Sequence, residues 1–321
     1  MKSDILNSTR RRFLKNTLVA GALSPLASAD LFALKNTAPA DKLKVYIFSK
    51  HLQFLQDYND LANAAKQMGF DGIDLAVRPG GHVEPDHVEE QLPKAAEAMK
   101  KVGFAPSLMT TAVNEAENET DRRLLTTSSK LGFKYYRMNW YSYPENKPMP
   151  DALQELSKKV NGLGQLNRDL GLIGYYQNHA GLNIGSNIWE IYELIKDADK
   201  EHMGTQYDIR HAMFEGAESW PNGFKLIHSR IKNVSLKDFR WQQKNGKWMI
   251  EDVPIGEGMI DFKSYFKMLK EYRISVPVSM HVEYALGGAQ SGSKTITMDK
   301  KDVLKAMTKD LKNIHELWEQ A

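Results

Sequence analysis

The 321-residue chain contains no cysteine. That rules out disulfides, iron–sulfur clusters and cysteine-ligated zinc, and leaves any metal to His, Asp, Glu, Asn or Gln. No apolar run is long enough to cross the roughly 30 Å hydrocarbon core of a bilayer. No Gly-x-Gly-x-x-Gly follows the first strand-like run, and no phosphate-cradling Lys/Ser loop occurs; both absences argue against a nucleotide-binding open sheet. Charge is close to balance, with 43 Lys and Arg against 40 Asp and Glu. No clustered basic stripe of the kind that tracks nucleic acid is present. The composition that remains, 42% hydrophobic and 26% charged, is that of an ordinary globular protein able to bury most of its apolar surface.

The first residues carry a distinct pattern. Thr9-Arg10-Arg11-Arg12-Phe13-Leu14-Lys15 matches Ser/Thr-Arg-Arg-x-Phe-Leu-Lys, the pattern of a twin-arginine export signal. An apolar stretch from Thr17 to Leu26 follows, and Ala27-Ser28-Ala29 supplies small residues for cleavage. The reading is a signal peptide over 1–29, a linker over 30–42 and a folded body over 43–321. It implies a periplasmic or extracytoplasmic protein. A basic amphipathic helix that stays attached is the alternative.

After Asp41, short apolar runs alternate with longer amphipathic ones. Strands are predicted at Lys44–Phe48, Ile73–Val77, Ala105–Met109, Tyr135–Asn139, Leu172–Gln177, Gly204–Asp208, Ile231–Lys237 and Val276–Val282. Helices are predicted at Asp57–Met68, Gln91–Val102, Asp121–Leu131, Asp151–Leu170, Ile188–Asp197, Gly223–Ser229, Asp261–Tyr272 and Lys301–Glu319. Gly69, Gly103, Gly132 and Gly171 stand just past four of these helices, where glycine is a stop signal. Asn245-Gly246 inside Trp241–Ile250 signals a type I′ hairpin inserted after the seventh strand. Strands separated by helices imply a parallel α/β sheet. Eight such units favour closure into a single-domain (β/α)8 TIM barrel, with an open doubly wound sheet as the alternative.

In such a barrel the site lies at the C-terminal ends of the strands. Those ends carry Ser49-Lys50-His51, Arg78, Arg137-Met138-Asn139-Trp140, Gln177-Asn178-His179, Asp208 with Arg210 and His211, Ser235-Leu236-Lys237-Asp238, and His281 with Glu283. Five of the nine histidines, His51, His82, His179, His211 and His281, fall there. One histidine is usually structural; five converging with Asp208 and Glu283 point to a site. Trp140 and Tyr141 suit either stacking on a sugar face or capping the core.

Several of these segments carry a resemblance. They are Tyr175-Tyr176-Gln177-Asn178-His179, Asp208-Ile209-Arg210-His211, Asn233-Val234-Ser235-Leu236-Lys237-Asp238, Gly256-Glu257-Gly258 with Ile260-Asp261-Phe262, and His281-Val282-Glu283-Tyr284. In this order the chain resembles the xylose isomerase-like barrel family, the sugar phosphate isomerase/epimerase group, over about residues 43–318. The resemblance implies one divalent metal held by a Glu on strand five, an Asp on strand six, a His on strand seven and a Glu on strand eight. Asp208 and Glu283 match, whereas Gln177 stands at the Glu position and Ser235 at the His position. The implied ligands are therefore Asp208, Glu283 and Gln177, for a single Mn, Zn or Mg ion bound weakly or not at all.

The resemblance further implies proton abstraction next to a carbonyl. Glu283 is the expected base, His211 the acid or a hydroxyl-binding group, and Lys237 the oxyanion stabiliser, unless Lys237 merely pairs with Asp238. Gln177, His179, Arg137, Asn139, Trp140, His281 and His51 are the expected substrate contacts. One remaining base suits elimination or same-face isomerisation better than two-face epimerisation. The expected function is an exported isomerase or epimerase-like enzyme acting on a keto-sugar or oxidised glycoside. The alternatives are a 3-keto-glycoside lyase or hydrolase, and a non-catalytic carbohydrate-binding barrel with a degraded metal site. An endonuclease-type relative would need more His and carboxylate ligands and a basic face. The expected partner is a small carbohydrate, with no nucleic acid and no stable membrane insertion; a homo-oligomer is compatible with the sequence.

Overall fold

The computed structural model describes residues 42–321. The expected signal peptide, and the linker up to residue 41, lie outside the described residues. Eight parallel strands close into a barrel: β1 (Val45–Phe48), β2 (Gly72–Val77), β3 (Leu108–Thr111), β4 (Tyr135–Arg137), β5 (Ile173–Gln177), β6 (Met203–Asp208), β7 (Ile231–Leu236) and β10 (Val278–Met280). The antiparallel pair β8 (Asp238–Lys244) and β9 (Lys247–Val253) is the inserted hairpin, so the eighth barrel strand is β10. Helices α1 (Tyr58–Met68), α2 (Val88–Lys101), α3 (Glu119–Leu131), α4 (Met149–Leu170), α5 (Ile188–Ile195), α6 (Ile209–Gly216), α7 (Trp220–Ile227), α8 (Phe262–Glu271) and α9 (Lys300–Glu319) lie between and after the strands. No helix among the described residues is long and apolar enough to cross a membrane.

The sequence signals act where they stand. Asp57 caps α1 by accepting from the Asn59 and Asp60 N–H groups at 2.8 and 3.1 Å, and Gly69 ends the helix at φ 91°. Asn118 and Gly132 do the same for α3. Asn245 and Gly246, at φ 53° and 73°, form the tip of the hairpin, as Asn-Gly requires. Several readings change, among them the third strand, which runs over Leu108–Thr111 and not Ala105–Met109. The span after β6 holds two helices, because the Asp208 carboxylate accepts from the His211 N–H at 3.2 Å and starts α6. Pro221 then sits in the first turn of α7, where its missing N–H costs nothing, so that helix begins earlier than Gly223. The strand ladders of β4 and β10 also stop two residues before Asn139 and Val282.

Inside the barrel, a polar layer lies beneath the mouth. Asp74 accepts from Thr110 Oγ1 at 3.0 Å and Ser279 Oγ at 2.6 Å, while Gln206 Nε2 donates to Asn233 Oδ1 at 2.6 Å. These bonds pair buried polar atoms, while Gln206 Oε1 and Asn233 Nδ2 stay without a partner. Around this layer, Tyr136, Tyr175, Tyr176, Tyr207, Tyr265, Phe224 and Phe266 are among the largest fully buried side chains.

The base of the hairpin is clamped. Asp238 accepts from the backbone N–H groups of Phe239, Gly256 and Gly258 at 2.8, 2.9 and 2.9 Å. The Gly256-Glu257-Gly258 motif is thus a backbone cradle for Asp238. A Cβ at Gly258 would lie 2.1 Å from Asp238 Oδ1 and 2.4 Å from the Phe239 carbonyl. Gly258→Ala is expected to cost about 1–3 kcal/mol in urea unfolding, the usual cost of overpacking. Equal stability of variant and parent would show that the cradle yields.

Below the eighth strand end, Asp310 on α9 accepts from Tyr284 Oη at 2.8 Å and the Ile255 N–H at 3.3 Å. Burial pushes its carboxyl up to about 7. The folded protein therefore binds a proton that the unfolded chain has released above its ordinary value of 3.8. Stability from this group is present below that value and is lost as pH rises towards 7, by up to about 1.4 kcal/mol per pH unit. Asp310→Asn is expected to flatten that slope between pH 5 and 7, read as the difference between variant and parent unfolding curves.

Candidate active site

Asp208, at the end of β6, is fully buried. Asn178 on the neighbouring strand end grips its backbone twice: Asn178 Oδ1 accepts from the Asp208 N–H at 2.8 Å and Nδ2 donates to the Asp208 carbonyl at 2.9 Å. Asp208 Oδ2 then accepts from Gln177 Nε2 at 2.8 Å and faces Lys237 Nζ at 3.2 Å. Gln177 Oε1 accepts from Arg137 Nη1 at 2.7 Å. The Arg137 guanidinium lies 4.3 Å from the centre of the Trp140 ring, and Trp140 Nε1 donates to the Gln177 carbonyl at 3.1 Å. Burial lowers Arg137 to about 10, still far above neutrality.

A second carboxylate stands opposite in sequence but near in space. Glu283 Oε2 pairs with Lys50 Nζ at 3.2 Å, and His281 Nδ1 lies 4.0 Å from Oε1. Burial would raise the Glu283 pKa, but the positive charge of Lys237, with Lys50 adding to it, holds it at about 2. Lys237 thus acts on both carboxylates.

The histidines divide into two kinds. His211 Nδ1 lies 3.2 Å from Arg210 Nη1, which can only donate, so His211 carries its proton on Nε2. That Nε2 is buried without a partner, 3.7 Å from Asp208 Oδ2. His179 donates from Nδ1 to the Ala180 carbonyl at 2.8 Å, which leaves Nε2 as an acceptor. Its ring lies 3.9 Å from that of His211 and 4.7 Å from Trp140. Burial, followed by the Lys237 charge, keeps His179, His211 and His281 neutral, with His179 at about 4. His51 and His82 are fixtures of the fold. His51 Nε2 accepts from the Val282 N–H at 3.1 Å, and His82 bridges Ser49 Oγ and the Leu55 carbonyl at 3.2 and 3.1 Å.

Arg137, Trp140, Gln177, His179, Asp208, His211 and Lys237 therefore form one continuous network, with Glu283 and His281 beside it. Asn139 is half-buried, and its backbone N–H bonds to Val113. Lys237 pairs with Asp208 and not with its chain neighbour Asp238, which is occupied in the glycine cradle. Two contributors were named at strand ends but given no role: Lys50, the partner of Glu283, and Asn178, the clasp on Asp208. Both stand at strand ends, but a lysine or asparagine there has no pattern that separates it from a solvated one.

The donor set does not fit a divalent metal of the family type. The Gln177 carbonyl oxygen is turned to Arg137 and its amide to Asp208, so it offers Asp208 a donor and a metal nothing. Ser235 offers a buried, unpartnered hydroxyl, a poor ligand. A different group, His51, His281 and Glu283, brings one potential ligand atom each to within 4.8 Å. There the lone pair of His51 Nε2 is already engaged by Val282, its other nitrogen carries the proton, and Glu283 is held by Lys50. The charges that would hold a cation are met by ammonium groups.

A groove of about 700 Å³ on the flank, lined by Met149, Leu153, Lys158, Glu193 and Lys196, lies between α4 and α5, away from this network.

A family model described as xylose isomerase-like TIM barrel matches residues 62–306. No curated protein matches the chain. Among solved structures the chain is similar to 3-keto-D-glucoside 4-epimerase YcjR from E. coli, at 13% identity over 84% of this chain and 100% of that one, with TM-score 0.61. It is similar to D-psicose 3-epimerase from Clostridium cellulolyticum H10 at 13% identity, over 86% and 99% of the two chains, with TM-score 0.64. A probable 3-DHS dehydratase, AsbF from Bacillus anthracis, gives 14% identity over 84% and 99%, with TM-score 0.62. Identities this low establish the fold and not the reaction. With a closed eight-stranded barrel and a family match across most of its length, the chain belongs to the xylose isomerase-like TIM barrel family.

Proposed function

We propose that this barrel is an exported carbohydrate enzyme that removes a proton next to the carbonyl of a keto-sugar or an oxidised glycoside. The observation that carries this reading is one buried ammonium, Lys237, set against two carboxylates at the barrel mouth, Asp208 at 3.2 Å and Glu283, which it helps keep ionised. Such chemistry needs a base and a positive group for the oxygen that gains charge. Glu283 serves as base. Lys237, with the free Nε2–H of His211, receives the developing enolate oxygen. Arg137, held by Gln177, orients a hydroxyl, Trp140 packs against the sugar ring, and the acceptor nitrogen of His179 accepts a hydroxyl hydrogen bond. A single carboxylate base favours elimination or same-face isomerisation. The epimerase and dehydratase names of the similar structures belong to the same broad class of carbon-acid chemistry.

Solvent deuterium exchange tests the reading directly. Incubation with a panel of 3-keto-glycosides and ketoses in D₂O is expected to label the carbon next to the carbonyl in at least one. Binding without label in any would favour the non-catalytic carbohydrate-binding barrel, the reading suggested by the replacement of two metal ligands. The export proposal rests on Thr9–Lys15, the apolar stretch from Thr17 to Leu26 and the small residues Ala27-Ser28-Ala29. Replacing Arg10 and Arg11 by lysine is expected to keep the protein in the cytoplasmic fraction.

A further inference from the structure

Side chains alternate along a strand, so Ser235 and Lys237 share one face of the β7 segment. Ser235 is in register with Asp208 on β6 and with Ser279 on β10. Lys237 thus rises just above the position at which the resemblance places a metal-binding imidazole. Its side chain is 5% exposed, and its Nζ ends 3.2 Å from Asp208 Oδ2. After burial, its charge is the strongest influence on Glu283, His179, His211 and His281 alike. A group that pairs with Asp208 and acts on these four side chains stands among them.

We infer that the Lys237 ammonium is built into the place of the divalent metal, so that Asp208 and the substrate oxygen meet a fixed side-chain cation. The substitutions around it are consistent in charge. Exchanging a divalent ion for an ammonium removes one positive charge, and Gln177 in place of Glu removes one negative charge. Gln177 also gains what a carboxylate lacks, an N–H donor, and spends it on Asp208 at 2.8 Å. Ser235 is small enough to leave the lysine stem its path up the barrel wall. Lys237 and a metal ion therefore compete for the same carboxylate.

The test needs no substrate, so its failure and that of the proposed reaction can be told apart. Mn²⁺ titration by electron paramagnetic resonance, metal analysis of the purified mature chain and thermal unfolding are the readouts. The wild type is expected to hold no stoichiometric Mn²⁺ or Zn²⁺ and to melt at the same temperature with or without Mn²⁺. Gln177→Glu with Ser235→His restores the ligand types but keeps Lys237, and is expected still to bind none. Adding Lys237→Met is expected to create one Mn²⁺ site per chain. Saturation at about 100 times its Kd would then raise Tm by roughly 5 °C. One tightly held metal per wild-type chain overturns the inference. So does a double variant that binds as well as the triple, or a folded triple variant that binds none. Should the triple variant not fold, the wild type and the double variant decide the question.

Discussion

Glu283→Gln is expected to lower turnover by about 10²–10⁴-fold while leaving the barrel folded, the range for loss of a general base. The side chain is about a quarter exposed, so its amide costs little stability. The wild-type carboxylate at about 2 is ionised at every working pH, which makes it available but a weak base. Its strength has to come from the other side of the reaction, through a carbonyl polarised enough to acidify the neighbouring C–H. Lys50 adds to the depression from 3.2 Å away. Since kcat/KM requires the ionised form, its acid limb lies near pH 2. Lys50→Gln moves the Glu283 pKa up towards its ordinary 4.5, and the acid limb rises with it. Retained activity in Glu283→Gln, or an acid limb that ignores Lys50, would assign the base elsewhere, with the acceptor nitrogen of His179 next in line.

Lys237→Met is expected to act on stability and catalysis together. It leaves Asp208 fully buried and short of its cation, and breaking a buried pair from one side costs about 3–5 kcal/mol. Turnover falls as well, by about 10²–10³-fold, the cost of one donor to a developing oxyanion. The two effects separate in a double-mutant cycle. Adding Asp208→Asn removes the stranded charge, so most of the lost stability returns while turnover stays low. Lys237→Arg keeps the charge but moves it outward on a longer, planar head, and is expected to hold stability better than activity. Stability and activity that recovered together in the double variant would reduce Lys237 to a strut for Asp208.

The fold was legible because its signals are local. Apolar runs, glycines at helix ends and Asn245-Gly246 each act within a few residues; the glycines and the turn stand where expected, and the element order follows, with some bounds shifted. The location of the site was legible for the same reason, since barrel strand ends follow from the strands. The misread parts depend on partners distant in sequence. Whether Lys237 meets Asp238, one residue away, or Asp208, on another strand, was settled by the N–H groups of Gly256 and Gly258, which already occupy Asp238. His51 carries the same side chain as His211, yet the Nε2 of one is spent on the Val282 N–H while that of the other faces Asp208.

The sequence by itself determined the barrel, its hairpin, the strand ends that carry the chemistry, and the departure of two positions from the family's ligand pattern. Only the tertiary structure decided what that departure means. Gln177 reads in sequence as a weakened ligand. In the barrel its amide is locked between Arg137 and Asp208, with both polar ends spent. The physical reason is that a side chain's chemistry depends on which lone pairs and protons its neighbours leave unused, and those neighbours come from strands far apart in the chain.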